Sequence, residues 1–178
     1  LTTVREMIEK NVVFSNVTHT TILQAAQLIC SSSDIQSFFE LIEVASFVPS
    51  KTQASQAVLD LVDRKRLLLA QELTVEFANR KIMVGENVIL AIIRLAGQFS
   101  NQQVILFAQN AAPTLQYEIL CSQVECYANL CQPELMPAMK FTQGVPVSTR
   151  IALLSLDLQM GNIPAAFSKV EEIKEDGI

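Results

Sequence analysis

A short block recurs along this chain at nearly constant intervals. The block is a small or polar pair followed by one large apolar residue, and its five copies start 32, 32, 31 and 33 residues apart. The copies are Ser33-Asp34-Ile35, Lys65-Arg66-Leu67, Gly97-Gln98-Phe99, Ala128-Asn129-Leu130 and Gly161-Asn162-Ile163. A step of this size is typical of repeat proteins, in which a two-helix unit buries its apolar face only by stacking on its neighbours. The interval therefore constrains the fold more strongly than any single residue does.

Apolar residues at fixed distances before each block predict a first helix, which we call helix A of the repeat. Residues eight, seven and four positions before a block lie on one side of a helix and form a buried stripe. The residues four positions before the blocks are Ile29, Leu61, Ile93, Val124 and Asp157. Only Asp157 departs from the apolar pattern. The block itself is then the turn that leads out of helix A.

A second helix, helix B of the repeat, is predicted after each block. These helices run roughly over residues 36–47, 68–80, 101–110, 133–142 and 164–175. The last is the clearest, because Pro164 suits the first turn of a helix and Gly177 suits the left-handed position after its end. Pro137 would lie inside the fourth helix B, where proline shortens or kinks a helix. That helix is therefore the least regular of the five.

These patterns together predict an all-α fold, a right-handed α-solenoid of about five helix-turn-helix repeats of 31–33 residues. We expect a single solenoid segment over 1–178, with a partial repeat at 1–16 and repeats at about 17–50, 51–83, 84–113, 114–146 and 147–178. The stretch from Met7 to Val12 is similar to that from Ile173 to Ile178, with Asn11 in place of Gly177. The segment is therefore expected to be part of a longer array.

The charge balance disfavours one class of partner. Lys and Arg number 13 against 18 Asp and Glu, for a net charge of -5. Nucleic-acid binders are usually basic, because counterion release from the phosphates supplies much of their affinity.

No uninterrupted apolar run approaches the roughly 20 residues that span a bilayer, so we expect no membrane insertion. The opening Leu1-Thr2-Thr3 shows neither a secretory signal nor a transit peptide.

Four cysteines in a chain of this length indicate a reducing compartment. Cys121, Cys126 and Cys131 recur every fifth residue, which invites a metal-site interpretation. Residues five apart on a helix are rotated by about 140°, so the three thiols do not share a face. The chain has no CxxC pair and one histidine to complete a site. We therefore predict no metal and no small-molecule cofactor, with cysteines packed as small apolar residues.

The sequence predicts no enzyme. Acid–base or nucleophilic catalysis needs a positioned base, and His19 stands alone beside Thr18 and Thr20 near the start of a helix. The chain contains no Gly-rich phosphate loop, no HExxH and no GxSxG. A surface or capping role is the simpler interpretation of His19.

The stretch from Ser148 to Ile178 resembles a pentatricopeptide repeat. That family's unit has a first helix, a short turn containing Gly, a second helix carrying Ala and Phe, and a close of the type Glu-Glu-Met-Lys-x-x-Gly-Ile. Here the close is Glu171-Glu172-Ile173-Lys174-Glu175-Asp176-Gly177-Ile178. The match is good over 160–178, partial over 117–145 and only periodic further upstream. Tetratricopeptide repeats share the turn and the Ala-rich second helix and are the competing resemblance.

The resemblance implies an organellar RNA-binding solenoid, in a mitochondrion or plastid, whose first helices line a groove and read about one base per repeat. The family's main base-reading residue is a polar one near the start of helix A. Counting ten residues back from each block gives Leu23, Ser55, Asn87, Glu118 and Ile151. Ser55 and Asn87 carry the expected residue type. The alternative for both is ordinary capping of a helix N-terminus.

Two basic runs are the other RNA-facing candidates: Arg64, Lys65 and Arg66, and Arg80 and Lys81. They support RNA binding if they line the groove, whereas charge runs in solvated turns and helix ends have a purely structural role. The first functional hypothesis is single-stranded RNA binding in organellar RNA processing or stability. The second is a protein-interaction scaffold within a large organellar assembly, without sequence-specific RNA reading. Its support is the apolar composition of 50%, because exposed apolar patches mark partner contacts.

Overall fold

The computed structural model describes residue 6, residues 16–137 and residues 144–175. Residues 16–137 and 144–175 form nine α-helices and two short 3-10 turns, with no strand among them. The helices are α1 Asn16–Gln24, α2 Ser32–Val44, α3 Lys51–Asp63, α4 Leu67–Asn79, α5 Glu86–Gln98, α6 Gln102–Ala111, α7 Gln116–Asn129, α8 Val147–Gln159 and α9 Ile163–Glu175. The 3-10 turns are Ala25–Leu28 and Pro133–Leu135. The prediction of an all-α fold is confirmed.

Side-chain caps fix where several helices begin. Ser31 accepts the Asp34 amide in its hydroxyl, while the Asp34 carboxylate accepts the Ser31 amide at 2.9 Å, which makes a capping box at the start of α2. Ser50 and Gln53 form the same box at the start of α3. Each box satisfies two amides that the first helical turn cannot pair itself. The starts of α2 and α3 are therefore fixed by local interactions within the sequence.

Six helices end in the same hydrogen-bonded turn, the Schellman motif, in which one residue is left-handed. The left-handed residues have φ between 52° and 73° and are Ser46, Lys65, Lys81, Ser100, Cys131 and Gly161. In each turn the next amide donates to the carbonyl five residues earlier, at 2.8 to 3.4 Å. This bond satisfies a carbonyl that the helix leaves unpaired and redirects the chain. Five of these six positions lack the glycine that is usual there.

The sequence blocks mark these turns unevenly. The blocks at 65–67 and 161–163 run through a turn to the first residue of the next helix, as predicted. The blocks at 97–99 and 128–130 begin in the last turn of α5 and of α7, a few residues before the left-handed residue. The block at 33–35 lies inside the first turn of α2, so its assignment as a turn is wrong. The capping box at Ser31 starts the helix earlier than the periodicity indicated.

The predicted stripe of helix A is buried four residues before each of the first four blocks. Five residues that lie eight or seven positions before a block are half-buried: Ala25, Leu90, Leu120, Leu153 and Leu154. The residues four positions before the blocks are at most 2% exposed where they are apolar: Ile29, Leu61, Ile93 and Val124. Asp157 occupies the same register, and its carboxylate forms an ion pair with Lys169 of α9. An ion pair of this kind lets a carboxylate occupy a half-buried position. The exception to the apolar pattern therefore joins α8 to α9 within the same repeat.

The fourth helix B departs from its prediction. Residues 133–135 form a 3-10 turn, and residues 136 and 137 are not helical, so an α-helix over 133–137 is wrong. Pro137 lacks an amide proton and disfavours the helical conformation of the residue before it, which explains the early end. Residues 138–143 lie outside the described part of the chain, as do Gly177 and, apart from residues 6 and 16, the predicted partial repeat at 1–16. The other four predicted B helices correspond to α2, α4, α6 and α9.

The chain divides into two compact units, Leu1–Ile92 and Ile93–Ile178, with the division inside α5. In the first unit α1 packs on α2 and α3, and both α2 and α3 pack on α4. In the second unit α6 packs on α7, α7 on α8, and α8 on α9. Packing between neighbouring helices is what an α-helical repeat requires. None of the helices that the structure describes is long and apolar enough to cross a bilayer.

An aromatic cluster forms the centre of the first unit. Phe38, Phe39 and Phe77 meet edge to face with ring centroids 5.1 to 6.3 Å apart. Arg80 places its guanidinium carbon 4.0 Å from the centroid of the Phe39 ring. Edge-to-face rings and a cation over a ring face are favourable electrostatic arrangements. The cluster therefore ties α2 to α4 and holds Arg80 at the end of α4.

The left-handed turns predict a stabilising substitution. Ser100→Gly removes a left-handed strain of about 1–2 kcal/mol and adds about 0.5–1 kcal/mol of unfolded-state entropy, so we expect a net gain of about 0.5–1 kcal/mol in the free energy of unfolding. Ser100→Ala keeps the strain and should bring no gain. Gly161→Ala should lower the free energy of unfolding by about 1 kcal/mol through backbone strain alone. Its new Cβ would meet no atom within 4 Å, so no steric clash adds to this loss. Urea unfolding followed by circular dichroism measures all three, and equal stability of the glycine and alanine variants at 100 would contradict the prediction.

Candidate functional site

Ser55, the first candidate for base reading, is committed to holding the fold together. Its side chain is 7% exposed. The hydroxyl donates to the Lys51 carbonyl at 2.7 Å and accepts the Gly85 amide at 2.8 Å. The residue therefore links α3 to the segment before α5, and Ser50, not Ser55, is the N-cap of α3. The proton and one of the two lone pairs of the hydroxyl are therefore already used within the fold.

Asn87, the second candidate, lies in the first turn of α5 and is exposed. Its side chain folds over Gly85, because a Cβ at residue 85 would overlap Asn87 Oδ1 and lie 3.4 Å from Ser55 Oγ. The structure thus brings the two base-reading candidates to the same glycine. Only Asn87 is open to solvent there.

The basic run at 64–66 occupies the turn after α3. Arg66 donates from Nη1 to the Ile29 carbonyl, and Arg64 Nη2 lies 3.5 Å from Gln27 Oε1. Lys65 is exposed and is the left-handed residue of the turn. Cations at the end of a helix interact favourably with its carbonyl dipoles. The run therefore has a structural role in closing α3.

The run at Arg80 and Lys81 has the same position after α4. Arg80 stacks on Phe39, forms an ion pair with Glu76, and places Nε 3.6 Å from Glu43 Oε1. Lys81 is exposed in the left-handed conformation. Of the five basic candidates, Lys65 and Lys81 have the most freedom to meet a ligand.

A groove between α2 and α4 in the first unit is acidic. It has a volume of about 310 Å³ and is lined by Ile35, Gln36, Glu40, Glu43, Glu72, Glu76 and Arg80. Four carboxylates therefore face one guanidinium. One of them, Glu72, accepts the Ser32 hydroxyl at 2.7 Å. The groove presents a net negative surface to any ligand.

A larger cleft lies in the second unit, and we call it the α7 cleft. Its volume is about 460 Å³. Residues from α5, α7 and the start of α8 line it: Arg94, Gln98, Tyr117, Glu118, Cys121, Ser122, Glu125, Gly144, Pro146, Val147 and Ser148. These three helices were each predicted as helix A of their repeat. The cleft is therefore formed by first helices, which the family resemblance assigns to ligand binding.

Glu125 is the most enclosed charged group of the α7 cleft. Its residue is 5% exposed, and Oε1 accepts the Ser148 hydroxyl at 2.7 Å and the Thr149 hydroxyl at 2.6 Å. Oε2 lies against Gly97, where a Cβ would come within 2.9 Å of it. The carboxylate can occupy this place because residue 97 has no side chain. Bonds from α8 to α7 thus hold the group in one orientation.

Tyr117 and Cys121 form a neutral pair beside Glu125. Desolvation raises the pKa of the Cys121 thiol, although hydrogen bonds with Tyr117 and Thr149 oppose part of that rise. Desolvation also raises the pKa of the Tyr117 phenol, whose residue remains 44% exposed. Neither group is therefore ionised near neutral pH. The pair offers an aromatic ring and weak hydrogen-bonding groups to a ligand.

The sequence patterns did not single out Glu125 or Tyr117. Glu125 directly follows Val124 of the buried stripe, and a carboxylate at such a position is the signal that could have revealed it. The one histidine, His19, stacks on Phe47 with ring centroids 4.3 Å apart. Among the described residues no group of three potential ligands could hold a metal ion.

The chain matches none of the models of known protein families and no curated protein at a significant level. The pentatricopeptide resemblance therefore depends on the sequence motif alone. Its clearest part, residues 160–178, includes the whole of α9. The chemistry of the site has to be judged from the residues that line it.

The bonds of Ser55 predict that Ser55→Ala lowers the free energy of unfolding by about 1–3 kcal/mol, because the buried Gly85 amide loses its acceptor. Ser155→Ala, at an exposed position of α8, is the matched control and should change stability by less than about 0.5 kcal/mol. Thermal unfolding measures both. A base-reading role would instead predict weaker RNA binding by Ser55→Ala at unchanged stability.

The four cysteines should fall into two reactivity classes. Burial raises the pKa of the Cys121 and Cys126 thiols, and their side chains are enclosed. Cys30 and Cys131 are exposed, so the prediction of packed cysteines is wrong for these two. Because the thiolate is the reactive form, we expect iodoacetamide at pH 8 to label the exposed pair first. Peptide mass spectrometry over time gives the rate at each site. Equal rates in the native chain and in urea would contradict the assignment.

Proposed function

We propose that this chain is a binding module built as a right-handed α-solenoid of about five repeats, and that its ligand is a protein partner. One observation carries the choice of partner: the groove between α2 and α4 in the first unit and the α7 cleft in the second unit are both lined by carboxylates. Single-stranded RNA would bring a row of phosphates to these surfaces, while a protein partner can bring basic side chains. Complementary potential favours the second pairing.

The charges of the two cavities support this choice in detail. The groove of the first unit has four glutamates and Arg80, whose guanidinium is already paired with Glu76. The α7 cleft has Glu118 and Glu125 against Arg94. The whole chain has a net charge of -5, so it does not attract phosphates at long range.

Exposed apolar side chains provide further support. Large ones concentrate at the turn between α8 and α9: Leu158, Met160, Ile163 and Phe167. Phe167 is 66% exposed, although a phenyl ring normally contributes to a core. Exposed apolar side chains grouped along the chain in this way are a common mark of protein interfaces. They add nothing to the binding of a phosphate backbone.

Single-stranded RNA is the second candidate, and one pair of residues favours it. Exposed Tyr117 and Arg94 both line the α7 cleft, and an aromatic ring beside a guanidinium is a combination that binds a base and its phosphate. The family resemblance points the same way and is also the source of the expected organellar location. The carboxylates that line the same cleft would repel a phosphate bound at either residue, so this candidate ranks second.

Fluorescence anisotropy with two probes separates the candidates. We expect a labelled peptide of alternating lysine and serine to bind at low salt more tightly than a uridine oligonucleotide, and the affinity to fall as salt rises from about 0.05 to 0.5 M. The double variant Glu40→Gln/Glu43→Gln should weaken peptide binding. Glu171→Gln/Glu172→Gln, with the same charge change on exposed α9 positions, should change it less.

Two results would contradict the proposal. Tighter binding of the oligonucleotide than of the peptide would favour the RNA hypothesis. Equal effects of the two double variants would mean that the peptide responds to total charge alone and that the acidic groove has no specific role.

A further inference from the structure

The two oxygens of Glu125 differ in what they can still bind. Oε1 accepts two hydroxyl protons, from Ser148 and Thr149, which occupies both of its lone pairs. Oε2 accepts no hydrogen bond from the described residues. Every fully buried side-chain oxygen or nitrogen in that part of the chain has a partner, so an oxygen without one must be reached by solvent. Glu125 lines the α7 cleft, and Oε2 is therefore the atom open to it.

The free-energy cost of burying the Glu125 carboxylate points to a cationic ligand. Glu125 is about nineteen-twentieths buried, and its two partners are neutral hydroxyls. A buried carboxylate is unfavourable unless a positive charge or several donors compensate it. In the same unit the half-buried carboxylate of Asp157 is compensated by an ion pair with Lys169. Among the described residues no cation forms an ion pair with Glu125.

The remaining charges near the cleft limit what can enter it. Glu118 is half-buried on α7, and Arg94 is exposed on α5, where solvent screens its charge. Arg150 is 6% exposed, donates Nε to the Val145 carbonyl at 3.1 Å, and acts electrostatically on the Tyr117 phenol. The lining has two carboxylates against the one guanidinium of Arg94, and Arg150, which is outside the lining, weakens this small negative excess. Selectivity must come from the position of Oε2.

We propose that the α7 cleft is a receptor for a single lysine side chain of a protein partner, with the ammonium group bound to Glu125 Oε2. This inference rests on the proposed function and names the chemistry of its partner. The half-exposed Tyr117 lies along the same cleft and can contact the methylene stem, while its ring attracts the cation. The volume of about 460 Å³ accommodates a lysine side chain and part of its backbone.

The geometry favours lysine over arginine. A guanidinium binds a carboxylate best through two parallel bonds, one to each oxygen. Because Oε1 is already saturated, Glu125 offers one oxygen, which suits the compact ammonium group. The hydroxyls of Ser148 and Thr149 thus determine the specificity by occupying Oε1.

An NMR titration of the full chain with small probes tests the proposal. We expect Nα-acetyl-lysine methylamide to shift the amides of Ser122, Glu125 and Ser148 with a dissociation constant on the order of 1 mM. The norleucine analogue, which lacks the ammonium group, should cause no saturable shift. The arginine analogue should bind about threefold or more weakly than lysine. Equal affinity for the lysine and norleucine probes would overturn the proposal.

Variants assign the effect to one oxygen. Glu125→Gln should weaken the lysine probe by about tenfold or more, and Glu118→Gln, with the same charge change in the same cleft, by less than about threefold. Ser148→Ala retains the charge and frees a lone pair of Oε1, so it should narrow the preference for lysine over arginine. This variant keeps the test decisive if Glu125→Gln does not fold. Equal losses for the two glutamate variants, or an unchanged preference in Ser148→Ala, would overturn the inference.

The outcomes also separate this inference from the proposed function. One outcome is that the lysine–serine peptide binds but Glu125→Gln weakens neither this peptide nor Nα-acetyl-lysine methylamide. The chain then remains a protein-binding module, and the assignment of the α7 cleft as a lysine receptor is wrong. If the oligonucleotide binds more tightly than the peptide, the proposed function itself is wrong.

Discussion

The turn that closes six of the nine described helices is the constraint on which the rest of the structure depends. Six times in the described chain an amide reaches back to a carbonyl five residues earlier, and one residue adopts a left-handed conformation to allow it. Each such bond ends one helix and sets the direction of the next. The buried stripes of successive helices can then meet, because the turns have nearly the same geometry. Repetition of one local hydrogen-bonding pattern thus produces the repeat.

The α7 cleft is a product of the same packing. Glu125 is on α7, its two hydroxyl partners are at the start of α8, and its free oxygen lies against Gly97 in the last turn of α5. Three elements that are far apart in sequence therefore fix one carboxylate. The packing of α7 on α8 brings the hydroxyls within 2.7 Å of it. A ligand would meet a group that is oriented before it arrives, which lowers the ordering cost of binding.

The sequence predicted the helices and their buried stripe because both follow from spacing along one helix. It misplaced the first turn, because the capping box of Ser31 is a local interaction that a 32-residue period does not include. It also assigned a possible ligand role to Ser55 by position in the repeat. The hydroxyl instead joins segments 30 residues apart, which only the folded packing reveals. The sequence did not predict a role for Glu125 for the same reason, since its hydrogen-bond partners come from another helix.

The left-handed residues affect the stability of the fold, and they are different residues from those that line the proposed binding surfaces. Five of these six positions have a residue other than glycine, and none of those five lines the acidic groove or the α7 cleft. Changes at these positions can raise or lower the stability of a repeat while the ligand-facing surface stays the same. The stability of the fold and the binding of a ligand can therefore evolve independently in this molecule. A lineage could acquire a new partner first and compensate for the cost at a turn later.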